Sequence, residues 1–310
     1  MSTTDSAEPR APAPPARQEQ IPRAILYMIA AGAFFSISSA SSKWLAETYP
    51  IGEVLFTRTF ISLICLSAFI LPVTGLAVFR TRRPVAHLMR GMSQTTSQTL
   101  LLIAFTMMPL ASATAINFSA PLFATLASLV FLKEPVGAAR WVALVVGFLG
   151  VLIVTQPGAD TFTVGALFAL ANAILFGTVT AGVRGMTATE STETLAMWQM
   201  TVLTVLYACM LVFGFRIPTW GDALLMLVNG VTNAVGQYWW TRAIHLAPTS
   251  AVVPFQYLSL VWAMLLGFAV WGDVPTISLI IGSAIVVGSG LFLLWRESQK
   301  LKPIPQVAIR

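Results

Sequence analysis

The chain has 310 residues, 18 Lys and Arg against 12 Asp and Glu, and is 56% hydrophobic with only 10% charged residues. A soluble domain carries about 25% charged residues on its water-facing surface, so a chain this poor in charge must turn most of its outside to lipid. A β-barrel is excluded as well, because its strands would alternate apolar and polar over about ten residues, whereas the apolar residues here form long charge-free runs.

Residues 1–22 are rich in Pro and Ala, mix both charges and lack an apolar core, which predicts a disordered cytoplasmic tail and no signal peptide. Charge-free runs follow at 24–42, 59–79, 91–132, 141–159, 161–183, 194–215, 223–241, 243–272 and 274–295. About 20 apolar residues cross a bilayer as a helix, which satisfies its own backbone in hydrocarbon. The run 91–132 is twice that length and contains Met108-Pro109-Leu110, so it divides into two helices with a tight turn at Pro109. The result is an all-α integral membrane fold of ten transmembrane helices, closed by a cytoplasmic tail at 296–310.

The basic residues orient those spans. With the N-terminus inside, the cytoplasmic side holds Arg10, Arg17, Arg23, Arg80, Arg82, Arg83, Arg90, Lys133, Arg140, Arg184, Arg242, Arg296, Lys300, Lys302 and Arg310. Only Arg216 falls in an outer loop, while Lys43 and Arg58 lie near or within spans. Fifteen against one is a strong positive-inside bias, and it predicts an inner-membrane protein with both termini in the cytoplasm. It also accounts for the net charge of +6 without nucleic acid. Cys65 and Cys209 stand mid-run in different spans and read as small core residues.

The second half repeats the first. Leu-Ala-Ser-Ala-Thr-Ala at 110–115 and Ala-Pro-Thr-Ser-Ala-Val at 247–252 each open a span. Each is followed by a short acidic turn, Lys133-Glu134-Pro135 or Gly272-Asp273-Val274-Pro275. A glycine-containing span closes each half, with Gly147 and Gly150 in one and Gly282, Gly288 and Gly290 in the other. Residues 23–155 and 163–295 are therefore expected to be homologous five-helix units. Five is odd, so the second unit enters the membrane upside down, an arrangement that gives a transporter two mirror-related states.

With these features the chain resembles the drug/metabolite transporter superfamily, in its members with two EamA domains. The resemblance rests on Lys43-Trp44, on Glu53 and Arg58 in span 2, and on Pro-Leu-Ala-Ser-Ala at 109–113. It continues in Pro121, in Glu134 and in the glycines of span 5. In the second half Gln199 stands about where the arginine would recur, Ser259 replaces the mid-span proline and Asp273 replaces the glutamate. Those departures suggest that the halves do not share solute contacts equally. The resemblance implies a ten-helix basket with a central cavity and alternating access.

Polar side chains are costly in lipid and turn to the bundle interior. Span 4 carries Thr114, Asn117, Pro121, Thr125 and Ser128 along one helical face, and span 8 carries Asn229, Asn233 and Gln237 at i, i+4 and i+8. Span 3 adds Gln94 and Gln98 one turn apart, span 6 adds Asn172, and span 9 adds Gln256 and Tyr257. Of these, Asn117, Pro121, Asn233, Gln237, Gln94, Gln98, Asn172, Gln256 and Tyr257, together with Arg58 and the deeper Trp198 and Trp240, are the candidate solute contacts, the single Ser and Thr residues read as packing, and Trp239 and Trp262 lie at similar depth. The alternative for each amide is helix-to-helix bonding worth about 0.6 kcal/mol. Arg58 pairs either with Glu53 or Glu47 or with an anionic group of the solute, and Lys43 snorkels. Trp44, Trp141, Trp220, Trp271 and Trp295 sit at span ends and read as an interfacial belt.

An intramembrane enzyme would need catalytic groups clustered at depth. The chain has two histidines, His87 and His245, both beside inner loops, and no carboxylate pair within a span. The enzyme reading fails on inventory, so no catalytic residue, cofactor or metal is expected. A receptor or scaffold would add a soluble domain; a channel is separable from a carrier by saturable exchange. The expected partners are a small solute and the bilayer, with the chain as monomer or homodimer. Arg90-Gly91 with Gln98 and Met108-Pro109-Leu110-Ala111 resemble the branch that contains riboflavin and S-adenosylmethionine carriers. Deep Trp residues, many amides and few charges suit a flat heteroaromatic. The expected solute is riboflavin, taken up, with its phosphorylated form poorer for want of cations at depth. Export of amino acids or related metabolites, or carriage of S-adenosylmethionine, is the alternative.

Overall fold

The computed structural model describes residues 21–120, 122–123, 126, 138–156, 163–187, 190–246 and 253–300. Among these residues the helices are α1 (Ile21–Ala46), α2 (Ile51–Thr74), α3 (Pro84–Met107), α4 (Leu110–Asn117) and α5 (Ala138–Thr155). They continue as α6 (Val164–Thr187), α7 (Thr192–Met210), α8 (Trp220–Leu246), α9 (Leu258–Trp271) and α10 (Ile277–Lys300). The ten helices of the sequence reading are present, and no strand occurs among the described residues.

Local chemistry sets the breaks between them. Met108 precedes a proline, is driven out of the helical region, and stands extended at φ −152°, ψ 165°. α4 then starts on Pro109, as expected for the division of run 91–132. Pro50 opens α2 in the same way. Ser191 caps α7 by accepting from the Thr194 N–H at 3.2 Å. α9 ends on Gly272, whose φ of 70° suits a residue without Cβ. Its N–H returns to Phe268, and Asp273 N–H reaches the Gly267 carbonyl at 3.2 Å.

Several helices outrun their apolar runs. α3 begins at Pro84, so Arg90, read from sequence as a loop residue, lies within the helix. α8 extends to Leu246, inside the run 243–272, and a 3₁₀ helix at Val253–Tyr257 leads into α9. α10 continues to Lys300. Pro121, Thr125, Ser128, Lys133 and Glu134 lie outside the described residues. Cys209 is exposed and Cys65 only partly covered, so Cys209 is not the core residue expected of it.

Three helical stretches, Ile21–Ala46, Ile51–Phe79 and Glu193–Phe213, are long and apolar enough to cross a membrane on their described residues alone, with shorter apolar helices beside them. α3 and α8 have the length but carry the polar stripes. The outside is apolar, with Ile64, Phe69, Val142, Phe148, Leu265 and Ile281 exposed, while Ser38, Ser42, Ser62, Ser97, Asn172 and Asn229 are buried. That is the inversion a bilayer solvent imposes.

The packing is two-fold. α1 lies on α8 and α9, and correspondingly α6 lies on α3 and α4. α2 touches α8, and α7 touches α3. α2 with α7, α4 with α9, and α5 with α10 are each a helix against its own repeat counterpart. Exchanging each helix of the first five with its counterpart returns each of these contacts. Because each unit has an odd number of helices, such an axis relates units of opposite orientation. α5 and α10 approach each other closely at Gly150 and Gly282. A Cβ on Gly150 would stand 2.9 Å from the Gly282 carbonyl oxygen, and one on Gly282 would stand 2.8 Å from that of Gly150. The glycines that mark the repeat bring α5 and α10 into backbone contact.

Candidate functional site

α3 and α8 form the polar centre. Counted back from their ends at Met107 and Leu246, Arg90, Gln94 and Gln98 coincide with Asn229, Asn233 and Gln237. Each triplet is spaced i, i+4, i+8 and occupies one helical face. Counted from the starts of α2 and α7, Arg58 coincides with Gln199. The centre is therefore one polar layout used twice, with arginine in the first half where the second has an amide.

The partners of these residues differ sharply. Arg58 donates from Nη2 to Gln98 Oε1, and Arg90 donates from Nη2 to Gln199 Oε1 at 2.7 Å. Both bonds join helices, α2 to α3 and α3 to α7. The buried Arg58 Nε, Arg90 Nε and Arg90 Nη1 have no acceptor. Neither arginine pairs with a carboxylate among the described residues. Glu53 accepts the Arg216 backbone N–H at 2.9 Å instead, and Glu47 accepts from Trp271 Nε1 at 3.1 Å.

Asn229 is buried and holds α1, its Oδ1 accepting from Ser38 at 2.7 Å and Ser42 at 3.2 Å while its Nδ2 donates to Ser42 at 3.0 Å. Asn233 donates to Ser62 Oγ on α2 at 2.9 Å. Gln94 and Gln237 are half-buried and make no side-chain hydrogen bond among the described residues. Gln237 lines a small cleft with Leu66, Ile70, Glu193 and Ala196, between α2, α7 and α8. Asn172 is fully engaged: it donates to Asn117 Oδ1 at 2.7 Å and accepts from Ser97 Oγ at 2.5 Å, tying α6 to α3 and α4.

The aromatic candidates separate in the same manner. Trp198 donates to the Phe79 carbonyl at 3.2 Å and stacks on His87 at 5.2 Å. Trp240 packs against Ala24, Met28 and Ala243. Tyr257 is buried against Phe118 at 4.9 Å, with its hydroxyl unpartnered. The Gln256 carbonyl accepts from Ser259 Oγ at 2.8 Å.

Each end of the bundle is tied by a loop pair that the two-fold relates. At the α1–α2 end, Tyr49 donates to Asp222 at 2.8 Å and accepts from the Thr219 N–H at 3.2 Å. Arg216 also donates to the Thr48 carbonyl at 2.9 Å there. Asp222, ahead of the apolar run 223–241, is held below its ordinary carboxylate value by hydroxyl donation from Thr219 and Tyr49. At the opposite end Thr81 donates to Glu190 at 2.7 Å. Lys43 does not snorkel. It is buried, with Nζ on the Met108 carbonyl at 3.0 Å and over the Trp271 ring at 4.7 Å.

Arg90, Gln199 and the Tyr207 hydroxyl, which donates to the Thr95 carbonyl at 3.0 Å, were not among the residues singled out from sequence as solute contacts. The first was legible in principle, since Arg90 extends the Gln94–Gln98 face by one more turn. It was hidden by assigning it to a loop.

A helical bundle of two repeats, apolar outside and polar at its centre, has the architecture of an integral membrane protein. The chain belongs to the EamA-like transporter family, whose model matches residues 22–156 and again 163–295. It is 31% identical over 278 residues to a riboflavin transporter of Rhizobium johnstonii, covering 89% of this chain and 92% of that one. An S-adenosylmethionine uptake transporter of Rickettsia conorii is 26% identical over 266 residues, covering 86% and 90%. A solved crystal structure, 20% identical, superposes with a TM-score of 0.60 over 90% of this chain and 99% of its own, which speaks for the fold. Family membership makes this chain an integral membrane transporter for a small molecule.

Proposed function

We propose that this transporter takes up a flavin, riboflavin first, across the bacterial inner membrane by alternating access, with both termini in the cytoplasm and residues 23–155 and 163–295 as the moving units. The supporting observation is the doubled polar layer on α3 and α8, flanked by α2 and α7, in which Gln94 and Gln237 make no side-chain hydrogen bond among the described residues. A flat ring with an imide edge and a polyol tail matches neutral donors and acceptors of this kind. The likeness to the Rhizobium riboflavin transporter supports the same choice. Gln94, Gln98, Asn233, Gln237 and Arg58 are the proposed contacts, whereas Asn117, Asn172, Trp198 and Trp240 serve packing.

The paired end contacts suit alternating access, since opening one side breaks one set while its counterpart persists. S-adenosylmethionine is the second reading, favoured by the Rickettsia relative and by the buried arginines, which suit a carboxylate. The test is growth of a riboflavin auxotroph lacking its own importer, with this chain expressed and riboflavin limiting. Rescue is the expected result. Failure to rescue with the protein shown in the membrane overturns flavin uptake and favours S-adenosylmethionine or export of amino-acid metabolites.

A further inference from the structure

His87 is 2% exposed, and none of the solute contacts proposed above uses it. Its ring stacks on Trp198 of α7 at 5.2 Å and 26°. Trp198 in turn donates to the Phe79 carbonyl at 3.2 Å, Arg90 donates to Gln199 at 2.7 Å, and Thr81 donates to Glu190 at 2.7 Å. Each of these four contacts joins residues 79–90 of the first half to residues 190–199 of the second, so His87 sits inside the knot that closes this end of the bundle. α3 and α7 meet closely beside it, where a Cβ on Gly91 would stand 2.8 Å from Val202 Cβ. The His87 Nε2 is buried in that packing without a hydrogen-bond partner.

Imidazole is the side chain that changes charge near neutral pH. A neutral ring leaves one buried nitrogen unsatisfied here, whereas a protonated ring brings an N–H without an acceptor and a charge without water. Among the described side chains, the charged groups facing His87 are Glu190 from the α6–α7 loop and Arg90 one turn along α3. Arg83, one turn back, gives its carbonyl to the His87 N–H at 3.2 Å, and Glu193 of α7 lines the cleft beside Gln237. His87 precedes the apolar run 91–132, and burial holds its imidazole below the ordinary value; Glu190 opposes that effect and Arg90 adds to it. Once the end opens, water reaches the ring and restores ordinary titration. The neutral ring therefore favours the closed end above the ordinary imidazole value of about 6.5, and that advantage is lost as pH falls through it. We propose that His87 is a proton-operated latch: the end carrying the α2–α3 and α6–α7 loops stays shut while the ring is neutral and opens when it takes a proton. The proton bound on opening and shed on closing exchanges with one side only, so the latch sets how long this end stays open and carries no proton across the membrane. In the topology proposed above that side is the cytoplasm, but the latch rests on neither that topology nor the solute.

The experiment follows thiol labelling of the purified full-length protein carrying Cys65→Ala, Cys209→Ala and the reporter Val78→Cys. Val78 is 4% exposed and packs with Leu66, Ile70, Met197 and Met200 between α2 and α7, so it is reached when this end opens. Each rate is divided by that of free cysteine at the same pH, which removes the titration of the thiol itself. From about pH 7.5 to about pH 5.5 the corrected rate is expected to rise about five- to tenfold with His87 present, and to stay flat in His87→Gln. His87→Phe keeps a ring on Trp198 without a titrating nitrogen; it should also be flat, and it serves where the glutamine variant does not accumulate. A corrected rate that is equal at the two pH values with His87 present, or that falls on acidification, overturns the latch. So does a rise that survives in His87→Gln or His87→Phe. No solute enters the measurement, so failure of the latch leaves the flavin reading untouched, and failure of that reading leaves the latch standing on its own result.

Discussion

The three amides of α8 look alike in sequence, yet they should behave differently when each is replaced by leucine. Asn229 is buried and makes three bonds to Ser38 and Ser42 of α1, which packs along most of α8. At about 0.6 kcal/mol per interhelical bond, with the longest contact weak, Asn229→Leu should cost about 1–2 kcal/mol. Ser38 and Ser42 can turn to carbonyls one turn back in α1, which keeps the loss from growing further. At about 2–4 °C per kcal/mol, melting in detergent should fall by roughly 2–8 °C. Asn233 makes one bond, to Ser62, so its substitution should cost about 0.6 kcal/mol. Gln237 makes none among the described residues, and Gln237→Leu should melt like the unaltered protein while losing transport. Melting by intrinsic fluorescence together with uptake into proteoliposomes gives both readouts. An Asn229→Leu protein as stable as its parent, or a Gln237→Leu protein destabilised as much as Asn229→Leu, would refute the sorting by bonds.

Gly282→Val should destabilise by about 1–3 kcal/mol, because its Cβ meets the Gly150 carbonyl oxygen at 2.8 Å and the helices must part; Gly288→Val, where a Cβ meets nothing within 4 Å, is the matched control for the same melting measurement. Tyr49→Phe removes the donor to Asp222 and the acceptor for the Thr219 N–H, weakening the α1–α2 end by about 1 kcal/mol. Labelling of a cysteine placed in that end should be about fivefold faster, and an unchanged rate would show that the contact does not hold the end closed.

The number of helices, their opposed halves and the family were all legible in the chain, because bilayer burial demands long charge-free runs and because duplication left its marks at 110–115 and 247–252. The break at Pro109 was legible for the same local reason, a proline acting on its predecessor. Helix ends were less so. A run ends at its first charge, whereas a helix continues while its backbone bonds hold, and α3 thus took in Arg90. The role of each polar residue was decided by tertiary structure. Periodicity places Asn229, Asn233 and Gln237 on one face, but only the approach of α1 and α2 determines that two find partners and the third does not. Likewise Arg58 had Glu53 five residues away in sequence. The loop carrying Arg216 engages that carboxylate and leaves the guanidinium to Gln98, a contact between residues 40 apart. A single chain specifies which residues must leave lipid; which of them stay free for a solute depends on what the other helices bring to meet them.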